Sequence, residues 1–247
     1  MSGRYILDEG FINAARNGDF KAMQNFIEAG ADVNAYGGEV LVCVAKFGSL
    51  PMARYVVSEG VDIAPQATEA LCVACENGNL EMVKYLVGEL GIRADIGHNA
   101  AFLEACENGH LEVVKYLVAE GVDVYYPLGA PLSWASYYGH LEVVKYLISQ
   151  GVDMHGRDEK PTIVAHQQGH QDVLDFLIAR SRWQDKVSLN ETRLERLAND
   201  RGYPELVQKI ERFLEEQALA LRESQMRAAA LQTTAKQFKI IKKNRQP

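Results

Sequence analysis

Three histidines, His110, His140 and His170, stand at intervals of 30 residues, and Cys72 and Cys75 form a Cys-x-x-Cys pair. Imidazole and thiolate are the side chains that hold zinc and carry out thiol redox steps, so a metal or redox centre is the first chemistry to weigh. No second cysteine pair follows. Cys75 and Cys106 instead occupy a position that Ala45 and Ser136 fill elsewhere, which predicts a small-residue packing slot. The histidines fail as a ligand set on distance. Stacked copies of a helical unit lie about 10 Å apart, whereas ligands must all sit about 2 Å from one ion. His166 falls in the small-residue slot and is expected to mark a local polar contact or a repacked end copy. The chain has no nucleophile elbow, phosphate-cradling glycine loop, His-Glu-x-x-His or paired-carboxylate setting, so no catalytic activity, cofactor or metal is expected. What remains is recognition chemistry. The stretch VYYPLGAPLSWASYYG, residues 124–139, packs in Tyr125, Tyr126, Trp134, Tyr137 and Tyr138, the residue types that dominate interface hot spots.

The elements that must position these residues follow from a period. Aligned on the glycine before each LEVVKYL-like segment, the chain repeats at Gly18, Gly48, Gly78, Gly109, Gly139 and Gly169, with spacings of 30, 30, 31, 30 and 30. A worn seventh copy, LANDRGYPELVQKIERFL, places Gly202 33 residues further on. Each copy predicts helix, turn, helix and loop. Leu111, Val114, Leu117 and Val118 form one apolar stripe of a helix, widened by Val113 and Tyr116 so that both flanks must be buried. Asp19, Ser49 and Asn79 are N-cap types. Glu81, Glu112, Glu142 and Asp172 suit the first turn. Lys84, Lys115 and Lys145 can pair with the glutamates three residues earlier. Gly30, Gly60, Gly91, Gly121 and Gly151 suit a left-handed helix end. The first helix of each copy ends in small residues such as Ala14, Ala15, Ala74, Cys75, Ala105, Cys106, Ala135 and Ser136, which permit close stacking into a solenoid.

These copies resemble ankyrin repeats over residues 5–215. In the segment 130–155, Pro131, Leu132, Ala135, Gly139, His140, Val143, Val144, Leu147, Gly151 and Asp153 hold the family's motif positions, while the T-P-L-H tetrapeptide is intact in no copy. The resemblance implies an all-α solenoid of about seven helix-turn-helix units. It implies that His110, His140 and His170 bond to backbone and to neighbouring copies. The shortened period predicts shallower connecting fingers. Short repeats of this wording are similar to those of giant DNA viruses, amoebae and amoeba-associated bacteria.

Residues that break their slot are free to serve something other than the scaffold. Five positions before the glycine the copies read Asn13, Cys43, Val73, Glu104, Trp134 and Val164. The two positions before it read Arg16/Asn17, Lys46/Phe47, Glu76/Asn77, Glu107/Asn108, Tyr137/Tyr138 and Gln167/Gln168. In ankyrin proteins these helix positions and the preceding loops form the concave binding surface. The resemblance therefore marks Tyr125, Tyr126, Trp134, Tyr137 and Tyr138 as a partner-binding patch, with Phe47 and Gln167 further along it. Glu76, Glu104 and Glu107 form a negative rim that favours a basic partner. The competing expectation is that some rings fill space left by the short fingers, Tyr125 or Tyr126 first. Tyr85, Tyr116 and Tyr146 recur and belong to the framework.

Residues 218–247 carry a net charge of +6 within a chain of −7, so the remaining body is strongly acidic. Such a body does not attract phosphate, and no nucleic acid is expected along it. No apolar run approaches the roughly 20 residues of a membrane span, the start shows no secretory leader, and four scattered cysteines fit a reducing cytoplasm. That would be a host cytoplasm if the source is viral or a secreted effector. We expect repeats one to six over 1–181, a degenerate seventh or capping repeat over 182–217, and a basic helical extension over 218–247. From Glu205 to Arg245 there is no Gly or Pro, which predicts a long helix, either a solvated extension or a docking element for a partner or for self-association. The expected function is a non-enzymatic adaptor, inhibitor or decoy that binds a partner protein. The alternative is a scaffold that assembles through its C-terminal helix.

Overall fold

The computed structural model describes residues 2–126, 129–154, 160–184, 203–212, 215–216, 219–220 and 222–227. The chain divides into two compact bodies, Met1–Leu177 and Ile178–Pro247. Among the described residues there is no strand. Six helix pairs follow in order: α1 (Ser2–Arg16) and α2 (Phe20–Glu28), α3 (Val40–Phe47) and α4 (Leu50–Ser58), α5 (Ala67–Glu76) and α6 (Leu80–Lys84), α7 (Ile96–Glu107) and α8 (Leu111–Ala119), α9 (Ala130–Tyr137) and α10 (Leu141–Ser149), α11 (Lys160–Gln168) and α12 (Gln171–Gln184). This is the all-α stack expected from the period.

The helices begin and end where the side chains dictate. Asp19 Oδ1, Ser49 Oγ and Asn79 Oδ1 accept hydrogen bonds from the amides of Ala22, Met52 and Met82, so the N-caps of α2, α4 and α6 are satisfied. At the far end Gly121 has φ +91°; its amide bonds to the Val118 carbonyl and the Val122 amide to that of Leu117. Val61, Ile92, Val122 and Val152, each just after its glycine, are then buried, which staples the chain end to the core. Lys84, Lys115 and Lys145 pair with Glu81, Glu112 and Glu142 at 3.2, 2.7 and 2.7 Å. These pairs are exposed and worth only a few tenths of a kcal/mol each.

Each first helix packs on the first helix of the next copy. Ala15, Ala45, Ala74, Cys75, Ala105, Cys106, Ala135 and Ser136 are all wholly buried there. The large core side chains between them include Phe11, Leu41, Leu71, Phe102 and Leu132. Burial pushes the Cys75 and Cys106 thiols well above their ordinary range, and burial together with nearby Glu104, Glu69 and Glu76 pushes Cys72 up to about 11. These are protonated packing thiols, not ready thiolates.

The single spacing of 31 has a physical location. In α8 the Glu120 amide bonds back to Tyr116, four residues earlier; in the third copy the Leu90 amide reaches Tyr85, five residues earlier. The extra residue is therefore absorbed as a π-turn, Tyr85–Glu89, which continues α6. Deleting Gly88 should restore an ordinary helix and remove an interior glycine. The deletion variant is expected to keep stability within about 1 kcal/mol of the parent, or to exceed it, in urea denaturation.

Connecting loops are held by side chains in place of a ladder. Asp32, Asp62 and Asp123 each accept from the amide two residues on, at 2.9, 3.1 and 2.9 Å. Asn34 Nδ2 donates to the Gly60 carbonyl, and the Asp62 amide donates to Asn34 Oδ1 at 2.6 Å, tying one loop to the next. In the C-terminal body the described parts of 204–227 are helical, with Leu206 and Ile210 buried. Residues 228–247, which hold most of the basic extension, and Gly202 lie outside the described residues.

Candidate partner-binding surface

The exposed face of the first helices is built by a clasp that repeats. The glycine closing each first helix has a left-handed backbone: φ is +68° at Gly78, +77° at Gly109 and +81° at Gly139. The bare side of that glycine is filled by the next copy. A Cβ on Gly78, Gly109 or Gly139 would stand 2.3, 2.4 or 2.4 Å from Nδ1 of His110, His140 or His170. The other ring nitrogen completes the link, as His110 Nε2–H donates to the Glu76 carbonyl at 2.8 Å and His140 Nε2–H to the Glu107 carbonyl at 2.7 Å. Asn79 does the same work for the third copy, donating to the Gly48 carbonyl at 3.0 Å. The histidines thus serve the scaffold, as the repeat pattern implied.

With the scaffold accounted for, the slot-breaking residues prove to have different surroundings. Phe47 is exposed, yet its ring covers the bare backbone of Gly18. Cys43 is buried, shielded beside Arg16 and Glu39, which pair at 2.5 Å. On α9 the three aromatic side chains touch one another. Trp134 lies 5.9 Å from Tyr137, edge on, and 6.1 Å from Tyr138, nearly parallel at 22°; Tyr137 and Tyr138 are 5.0 Å apart. Trp134 and Tyr138 remain 41% and 42% exposed, so a large flat apolar surface faces solvent.

Tyr125 and Tyr126 are both exposed, not core, and they point elsewhere. Tyr125 donates from its hydroxyl to the Gln150 carbonyl at 3.4 Å, while the Tyr126 ring faces His98 at 6.4 Å. The five aromatics are therefore one mutually packed trio and two separate loop rings. The connection to the trio fails because Asp123 and Asn99 fix the loop: Asn99 Nδ2 donates to the carbonyls of Asp123 and Tyr126 at 3.1 and 3.2 Å. Gln167 is exposed on α11.

Beside the trio, on α7, stand Glu104 and Glu107, with Glu76 one copy further along on α5. Burial pushes the Glu104 carboxyl above its ordinary value of 4.5, and the charges of Glu107 and Glu76 push it further. The Tyr138 hydroxyl is pushed up chiefly by the Glu107 carboxylate next to it. An acid whose folded pKa is raised destabilises the fold while ionised. That penalty is absent below the unfolded value of 4.5 and complete above the folded one. Glu104→Gln should therefore be more stable than the parent at pH 7, with the difference vanishing on acidification below about pH 4.5, as thermal melts across pH will read.

A residue that the periodicity does not reveal is His98. With Gly97 and Asn99 it forms three successive left-handed residues, φ +64°, +59° and +63°, at the start of α7. Tyr36, Gly37 and Gly38 do the same before α3. Glycine and asparagine tolerate this backbone, so the Gly-His-Asn run is the sequence signal. His98 lines an open groove of about 510 Å3 with Arg93, Asp95, Asn99, Asp123 and Tyr126. Arg93 is already held by Asp95 at 2.6 Å. Among the described residues no group of three or more His, Cys, Asp or Glu is placed to hold a metal, and no helix is long and apolar enough to cross a membrane.

Helix pairs stacked in register and clasped from copy to copy define a repeat solenoid. The chain belongs to the ankyrin-repeat family: the family profile described as ankyrin repeats (three copies) matches residues 11–100 and again 102–190. Among solved structures the chain is similar to the human ASB11 ankyrin repeat domain, at 24% identity and a TM-score of 0.60, over 76% of this chain and 95% of that one. This likeness concerns the fold. No match was found among curated proteins. Ankyrin repeats are in general protein–protein interaction modules, and that class applies here.

Proposed function

We propose that the chain is a non-enzymatic adaptor, inhibitor or decoy that engages a partner protein through the exposed first-helix face, centred on Trp134, Tyr137 and Tyr138. One observation carries this reading. The tyrosines that recur on the second helices, Tyr85, Tyr116 and Tyr146, are buried or half-buried in the framework, whereas the first-helix trio of α9 occurs in one copy and leaves Trp134 and Tyr138 stacked and facing solvent. Burying such rings is worth about 1.5–3 kcal/mol each, which is the scale of interface hot spots. The test is site-specific photocrosslinking in native lysate. A crosslinker at Tyr137 is expected to capture a discrete partner, and one at Lys115 on the opposite helix row is not. Capture only from Lys115 would move the interface to the other face.

A second reading, assembly through the C-terminal helix, is favoured by Leu219 and Met226. They stand seven residues apart, 59% and 68% exposed, as neighbours on one helical stripe would be. Light scattering should then show that Leu219→Glu with Met226→Glu converts an oligomer to a monomer. A monomeric parent removes this reading. The repeats over 1–181, a capping segment over 182–217 and the extension over 218–247 remain our proposed division of labour.

A further inference from the structure

Some acids of the repeats have an ion-pair partner and others, Glu28, Glu59, Glu69 and Glu120 among them, have none among the described residues; what sets three of the unpaired ones apart is the face they share with the aromatic trio. Glu81, Glu112 and Glu142 on the second helices each have a lysine, Glu39 has Arg16, Glu89 has Arg54, and Asp32 and Asp95 have Arg4 and Arg93. Glu76, Glu104 and Glu107 have no ion pair among the described residues. They stand on the same face as the aromatic trio, one or two copies away, and no basic side chain is among the groups acting on Glu104. The carboxylates instead repel one another, a cost that an incoming cation would remove. Directly beside them Trp134 and Tyr138 present nearly parallel rings. The face of an aromatic ring attracts a cation, and a planar guanidinium can lie flat on the ring while its edge donates to carboxylates.

Resting on the first-helix face as the binding surface, we infer that the partner presents an arginine-bearing basic segment, with one guanidinium stacked on the Trp134–Tyr138 rings and its N–H groups directed at Glu104 and Glu107. Among the described residues the same arrangement occurs once, on the other helix row. The Arg54 guanidinium lies 4.8 Å over the Tyr85 ring while its two terminal nitrogens donate to Glu89 at 2.8 and 2.5 Å. There the triad is internal; on the first-helix face the ring and the acids are present and the arginine is missing. Arginine is favoured over lysine because a lysine ammonium is a compact, strongly hydrated point charge that cannot both stack and fork.

Short Gly/Ser peptides carrying arginine, lysine or citrulline at the same positions are titrated into the full chain, with affinities read by calorimetry and the Trp134 indole of the parent followed by NMR. The arginine peptide is expected to bind about tenfold more tightly than the citrulline peptide and several-fold more tightly than the lysine peptide. Glu104→Gln with Glu107→Gln should weaken it about tenfold, Trp134→Ala by a similar factor, and Glu112→Gln with Glu142→Gln on the opposite row should leave it unchanged. Equal affinity for arginine and lysine peptides, or equal loss in both double variants, means diffuse attraction to an acidic body and overturns the inference. So does equal binding of the citrulline peptide, or no shift of the Trp134 indole. None of those outcomes alters the crosslinking result from Tyr137, so the binding surface and the arginine stand or fall separately.

Discussion

Gly109→Ala should cost about 2–4 kcal/mol of stability, a large loss for a half-buried position. Two effects add. At φ +77° a side chain loses about 1–2 kcal/mol to left-handed backbone strain, and the new methyl would stand 2.4 Å from His140 Nδ1. The imidazole must then leave, and with it the hydrogen bond to the Glu107 carbonyl, worth about 1 kcal/mol. Gly121 provides the comparison, since its φ of +91° carries similar strain but nothing lies within 4 Å of its Cβ direction. Gly121→Ala should therefore lose only the backbone part. In urea denaturation, Gly109→Ala combined with His140→Ala should lose less than the two single variants added together, because one methyl can occupy the space that the ring vacates. Additive losses would mean that the clasp contributes nothing beyond backbone strain.

Trp134→Ala combined with Tyr138→Ala should weaken binding to the crosslinked partner about 100-fold or more while leaving the thermal midpoint nearly unchanged. Both rings are about two-fifths exposed and pack on Tyr137 and on each other, with Tyr138 also against the half-buried His140 ring, so their loss opens no core cavity. At an interface centre each would be fully desolvated, and hot-spot aromatics there are worth about 2 kcal/mol or more. Tyr116→Ala on the second-helix row is the contrast, with a stability cost and no affinity cost. A double variant that binds within threefold of the parent would place the interface elsewhere on the chain.

The fold was legible because its determinants are local and written six times. N-cap residues, stop glycines and small-residue slots each recur at a fixed offset, so an error in one copy is corrected by the others. The histidines were assigned to the scaffold by the same logic, and their bonds to the Glu76 and Glu107 carbonyls are what the pattern implied. Legibility ended in the connecting loops. Nothing in periodicity places Tyr125 on the Gln150 carbonyl or Tyr126 against His98, because those orientations depend on Asn99 reaching across to a loop 24–27 residues away. The lysine partners of Glu81, Glu112 and Glu142 are readable three residues on, but the sequence does not reveal that Glu107 stands against Tyr138 or that no basic side chain acts on Glu104. These relations appear only once side chains have neighbours.

The π-turn at Tyr85–Glu89 has one more consequence. Copy number and copy length can drift independently in a tandem array, and an inserted residue would ordinarily throw every later binding position out of phase. Here the insertion is swallowed on the row of second helices, and Glu76, Glu107 and Tyr137 keep their places two residues before their glycines. The array behaves as a ruler whose slack is stored on its back edge, so that selection can test length changes without rewriting the graduations that a partner reads.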